Sequence, residues 1–138
     1  MRIVHGVEVL MKKNVNNPTD AELEILQILW QEGPSTVRYI NDKLNEKRKI
    51  GYTTTLKMMQ IMLEKKMLTR NEETRSHLYS SLLKEKDTQN LLLDKLLTSA
   101  FGGSAMKLVV QALGSNKTSK GEIVKIRELL DSMEGGKR

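Results

Sequence analysis

The chain contains no cysteine, which excludes disulfides, thiolate metal ligands and cysteine nucleophiles. Aromatic residues are scarce, at 4% with one Trp and one Phe, and hydrophobic residues make up only 38% of the 138. A core this thin predicts that a second copy of the chain supplies part of the burial. No apolar run approaches the roughly 20 residues of a membrane span. The N-terminus, interrupted by Arg2, His5, Glu8, Lys12 and Lys13, has no secretory block. These absences predict a soluble, cytoplasmic protein of one ordinary domain, or a small domain with an appendage.

Catalytic groups are equally sparse. The two histidines, His5 and His77, have no second His or carboxylate at metal-ligand spacing. Gly102-Gly103-Ser104 lacks the Gly-Lys-Ser/Thr ending of a phosphate-binding loop, and no serine sits in a nucleophile elbow. No enzyme activity, metal, cofactor or small-molecule ligand is expected.

Charge is what the chain does have, with a net +6. Residues 47–70 concentrate it: Lys47, Arg48, Lys49, Lys57, Lys65, Lys66 and Arg70 face the single acid Glu64, whereas residues 20–32 hold Asp20, Glu22, Glu24 and Glu32 with no base. One acidic and one basic element are predicted, the second suited to an anionic partner.

Residues 1–17 show no sustained period and close on Asn14, Asn16, Asn17 and Pro18, so they read as a flexible arm, with Met11 as a second candidate start. Thr19 and Glu22 form a capping box ahead of Leu23, Leu26 and Trp30 at helical spacing, and Gly33-Pro34 stops that helix. Ser35 or Thr36 caps a second helix carrying Val37, Ile40 and Leu44. After Gly51 a third runs from Tyr52 to about Lys66, with Leu56, Met59 and Leu63, helped by Met62, turned inward. Short strands over residues 68–70 and 77–80 flank a polar turn. Three further helices follow, carrying Leu92, Leu93, Leu96 and Leu97, then Met106, Val109, Val110 and Leu113, then Ile123, Ile126 and Leu130 behind a Ser119/Glu122 capping box. Residues 135–138 read as a frayed end.

Three helices followed by a hairpin is the winged form of helix-turn-helix. The predicted architecture is therefore mainly α: an arm over 1–17, a winged-helix DNA-binding domain over 18–82 and a helical dimerisation domain over 83–138. The third helix would present Thr54, Thr55, Lys57 and Met58 to base edges, and Arg75 at the hairpin tip would reach a neighbouring phosphate or the minor groove. A winged helix that binds protein instead of double-stranded DNA is the alternative. Leu92, Leu96, Val109, Leu113, Ile123, Ile126 and Leu130 would form the core shared by a homodimer.

Several segments in order resemble the penicillinase (β-lactamase) repressors and the related methicillin-resistance and copper-responsive repressors. They are Thr19-Asp20-Ala21-Glu22-Leu23-Glu24-Ile25-Leu26 leading to Trp30, Tyr52-Thr53-Thr54-Thr55, Leu63-Glu64-Lys65-Lys66-Met67-Leu68-Thr69-Arg70, Arg75 with Tyr79, and Phe101-Gly102-Gly103-Ser104. The resemblance covers residues 18–130 and implies a homodimeric repressor on a palindromic operator. By position it puts recognition contacts on Thr54, Thr55, Lys57 and Met58, with Tyr52, Thr53 and Arg75 nearer the backbone. In antibiotic-responsive members, a membrane-bound zinc-metalloprotease sensor pathway leads to cleavage before the Phe of the last break, here Ala100–Phe101. Where the family's best-studied site has Asn, this chain has Ala100. Thr74 and His77 replace the wing's usual Gly and first aromatic, and the C-terminal cysteines of the copper branch are absent.

Overall fold

Local capping starts the first helix. In the computed structural model, which describes residues 17–73, 75–115 and 117–135, the Glu22 N–H donates to Thr19 Oγ1 at 3.2 Å and the Thr19 N–H donates to Glu22 Oε1 at 2.9 Å. Two N–H groups that helix geometry leaves without partners are thereby satisfied, and α1 runs over Asp20–Glu32. Gly33 ends it at φ +83°, a left-handed conformation that costs glycine nothing. Residues 1–16 of the expected arm, Thr74 and the last three residues of the expected frayed end lie outside the described residues.

Helix α2, Val37–Asn45, is capped by Thr36, whose hydroxyl accepts from the Tyr39 N–H at 3.1 Å. Ser35, the other candidate cap, instead exchanges backbone hydrogen bonds of 3.0 and 2.8 Å with Tyr79, adding a one-residue edge to the hairpin. Helix α3 spans Tyr52–Glu64. Strands β1, Leu68–Asn71, and β2, Leu78–Ser81, pair antiparallel, with Leu68 opposite Ser81 and Asn71 opposite Leu78. The turn into β1 is made by Lys66 at φ +67°, where the Met67 N–H reaches back to the Met62 carbonyl at 2.9 Å. That is the left-handed helix ending normally given to glycine.

The core draws on every one of these elements: Ile25, Leu26 and Leu29 from α1, Val37, Ile40 and Leu44 from α2, Met59 and Met62 from α3, then Met67, Leu68 and Tyr79. Trp30 fastens α1 to the end of the hairpin, its Nε1–H donating to the Leu83 carbonyl at 2.9 Å and to Ser81 Oγ at 3.2 Å.

The inner face of α3 differs from expectation. Thr55, Met59 and Met62 are buried, while Leu56 and Leu63 sit at the margin of the core. Thr55, expected to face outward, is 0% exposed. A threonine tolerates that position because its hydroxyl has a buried donor, Asn41 Nδ2, at 2.8 Å. Met58, also expected outward, is half-buried and packs against the core.

The described residues divide into two compact units, one ending at Leu92 and the other beginning at Leu93. Helix α4, Glu85–Ala100, begins in the first, where Thr88 is buried, and ends in the second. There Gly102 and Gly103, at φ +57° and +82°, break the chain before α5, Ala105–Gly114. The Ser119/Glu122 capping box then opens α6, Lys120–Gly135. No described residue from Leu93 onward is buried. Among the described residues no single helix is long and apolar enough to cross a membrane.

Candidate nucleic-acid interface

With one face of α3 given to the core, the opposite face is set by the helical repeat. Tyr52, Thr53, Thr54 and Lys57 are all exposed. Gly51 is the N-cap and offers no side-chain acceptor, unlike Thr19 before α1 or Thr36 before α2. The first N–H groups of α3 thus lack a side-chain partner at the end where a helix attracts anions. Thr53 and Thr54 cap nothing there, so their hydroxyls are not consumed by the helix start. Among the sequence candidates, then, Tyr52, Thr53, Thr54 and Lys57 share one exposed surface, whereas Thr55 and Met58 are drawn inward. Arg75 is exposed on the loop between β1 and β2.

The positive charge of residues 47–70 is partly used up inside the domain. Arg48 pairs with Glu24, Lys65 with Glu22 at 2.9 Å, and Arg70 with Glu72. The acidic α1 and the basic segment therefore interlock through two of these pairs and are less separate than the sequence predicts. Lys47, Lys49, Lys57 and Lys66 form no ion pair with any described residue, so the cation on the outer face of α3 is not used up by a neighbouring carboxylate.

Glu22 is the buried member of its pair, at 6% exposure. Burial by itself pushes its carboxyl up, but the Lys65 ammonium and the Thr19 N–H and hydroxyl outweigh that and hold it below the ordinary carboxylate value. Its function is structural, since it ties the start of α1 to the end of α3.

Arg38 belongs to the same surface and was missed by sequence reasoning. It is exposed on α2, and its guanidinium lies 5.4 Å from the centroid of the Tyr52 ring. It has no carboxylate partner among the described residues. Stacking on Tyr52 restrains a long side chain beside the N-terminus of α3 while leaving its donors outward. Its neighbours in sequence are apolar or neutral, so no charge run marks it; only the packing of α2 on α3 brings it to Tyr52.

The dimerisation candidates fall in two groups. Leu92, at the end of the first unit, and Ile126 are half-buried. Leu96, Val109, Leu113, Ile123 and Leu130 are exposed, from 38% at Leu113 to 56% at Leu130. Ala100 is the last residue of α4, and the Phe101 N–H still donates to the Leu97 carbonyl at 3.2 Å. The Ala100–Phe101 bond therefore lies in the last hydrogen-bonded turn, not in an extended loop. No cluster of His, Asp or Glu suited to a metal ion occurs among the described residues.

A family described as penicillinase repressor matches residues 18–132. The transcriptional regulator BlaI of Mycobacterium tuberculosis is 24% identical over 119 residues, 85% of each chain. The penicillinase repressor of Bacillus licheniformis is 21% identical over 126 residues, covering 91% of this chain and 98% of that one. In architecture the chain is similar to a MarR family protein from Bacillus stearothermophilus, with a TM-score of 0.53 at 17% identity over 98% of this chain and 90% of that one. That likeness supports the winged-helix fold and nothing finer.

Proposed function

The chain belongs to the penicillinase repressor family, and from that premise we propose that it is a DNA-binding transcriptional repressor acting as a homodimer on a palindromic operator. Each protomer lays α3 in the major groove of one half-site. Thr53, Thr54 and Lys57 meet base edges and nearby phosphates, while Tyr52, Arg38 and Arg75 hold the flanking backbone. The single observation that carries this reading is the outer face of α3: hydroxyls that cap nothing and a lysine with no acidic partner, on a helix whose other face is buried.

One such unit makes too few phosphate contacts to hold an operator at physiological salt, and two joined units gain effective concentration. The exposed apolar side chains of α5 and α6 support a second copy as the joining element. A Leu or Ile at half exposure leaves about 1 kcal/mol of burial unrealised, and Val110, Val124, Leu129 and Leu130 all stand above that level. Proteolysis at Ala100–Phe101 would part the reading heads from this element and release the operator, and a membrane-bound metalloprotease pathway is the trigger proposed. Because the bond lies in a helical turn, cleavage requires the end of α4 to unwind first.

Selection of bound duplexes from a random pool tests the proposal. The expected result is one two-fold symmetric sequence whose half-sites are one or more helical turns apart. Binding to it falls steeply with salt, and Lys57→Ala flattens that dependence by roughly one phosphate contact. A pool that shows no enrichment, with binding indifferent to salt, overturns the reading and favours a protein-binding winged helix.

A further inference from the structure

We infer that Asn41 and Thr55 are positioning residues for sequence recognition, setting the angle at which α3 presents Thr53, Thr54 and Lys57. The inference rests on α3 being the recognition helix and adds which residues outside the contact surface govern its discrimination.

The observations are a small polar network at the corner between α2 and α3, buried at Asn41 and Thr55 and exposed at Asn45. Asn41 Nδ2 donates to Thr55 Oγ1 at 2.8 Å and to the Ile50 carbonyl at 3.2 Å. Asn45, one turn further along α2, donates through Nδ2 to the same Ile50 carbonyl at 2.9 Å and to the Asn41 carbonyl at 2.7 Å, and its Oδ1 accepts from the Ile50 N–H at 3.2 Å. The connecting segment is thereby clamped at Ile50, and α3 is clamped at Thr55. Among the described residues, the Asn41–Thr55 bond is the one side-chain hydrogen bond that joins α2 directly to α3.

Apolar contacts between two helices permit small slides and rotations at little cost, because dispersion is short-ranged but not directional. A buried amide–hydroxyl bond is directional, and breaking it leaves polar atoms without water or partner. The side chains it orients lie close by: Thr54 is adjacent to Thr55 in sequence, and Thr53 and Lys57 are each two residues away. Base-edge hydrogen bonds need that placement, whereas phosphate attraction by Lys57, Arg38 and Arg75 tolerates a shifted helix. Loss of the pair should therefore weaken discrimination between sequences and spare general affinity for duplex.

The experiment uses the full chain. Wild type first selects its preferred duplex from a random pool. Affinity is then measured for that duplex and for a scrambled duplex of equal length and composition, with wild type, Thr55→Ser, Thr55→Val and Thr55→Val combined with Asn41→Leu. Thermal unfolding is followed on the same samples. The expected outcome is that Thr55→Ser, which keeps the hydroxyl, retains the wild-type ratio of selected to scrambled affinity. Thr55→Val keeps the shape, lowers the ratio tenfold or more and leaves scrambled affinity within about twofold. The double variant, with both partners apolar, recovers unfolding temperature relative to Thr55→Val but not the ratio. A double variant or Thr55→Val with the wild-type ratio overturns the inference alone and makes the pair a packing contact. A wild type that enriches no duplex overturns the recognition-helix reading and this inference together.

Discussion

In residues 17–92, Ile25, Ile40 and Met62 are wholly enclosed, whereas in residues 93–135 Leu96, Val110 and Leu130 keep 46–61% of their surface open. Both stretches have well-capped helices with apolar residues at helical spacing, so local propensity does not separate them. The difference is that the first unit supplies facing surfaces for its apolar residues, while the second leaves them open. In the first unit, α1, α2, α3 and the hairpin wrap one another, and even polar insertions such as Thr55 and Glu22 find partners inside. In the second, α5 and α6 have no buried residue. One unit can present a surface because its core is already closed. The other is suited to lending its apolar faces to another chain.

The most severe way to break this contrast is Leu130→Asp. A charge on an apolar face should be tolerated by the isolated fold of the first unit yet abolish association. Size-exclusion chromatography should show a monomer, and affinity for the selected duplex should drop about 100-fold or more through lost avidity. A persistent dimer would place the interface away from α6.

Lys65→Ala probes the closed unit. Removing the partner of a buried carboxylate should lower unfolding stability by about 1–3 kcal/mol near neutral pH. The sign with pH follows from Glu22, whose folded pKa lies below its ordinary value. The stability it contributes is complete above the unfolded carboxylate pKa and is lost as pH falls through the lowered one. Denaturant titrations of wild type and variant should therefore converge on acidification, and a gap that stays constant with pH would reject the pair as its cause.

Smaller effects refine the surface. Arg38→Ala should reduce the slope of log affinity against log salt by about 0.9, the signature of one phosphate contact, without altering the selected sequence. Lys66→Gly relieves a left-handed lysine at the end of α3 and should raise stability by roughly 0.5–1 kcal/mol in the same titrations. An unchanged or lower stability would show that the strain there is offset by contacts of the lysine stem.

The exposed face of α3 was partly legible from sequence. The third helix, the exposed Thr54 and Lys57 and the arginine of the hairpin loop follow from helix-start signals and from a change of period after Met67. The inner stripe was misplaced because Leu56 and Thr55 are one residue apart, and an apolar count favours the leucine. Only Asn41, 14 residues earlier, makes burial of the threonine tolerable. Arg38 and Tyr52, also 14 residues apart, meet for the same reason. The charge window likewise counted Arg48 and Lys65 as available, although their partners Glu24 and Glu22 lie 24 and 43 residues away.

Sequence by itself determined where helices start and stop, because capping boxes, glycine ends and the 3.6-residue repeat act within a few residues of one another. It also determined that cations are concentrated before and along α3. Tertiary structure alone decided which cations remain unpaired, which threonine turns inward and which arginine stands beside the N-terminus of α3. Each of those outcomes depends on a partner from a different element, and a chain read in order does not show which distant residues its packing will bring within hydrogen-bonding reach.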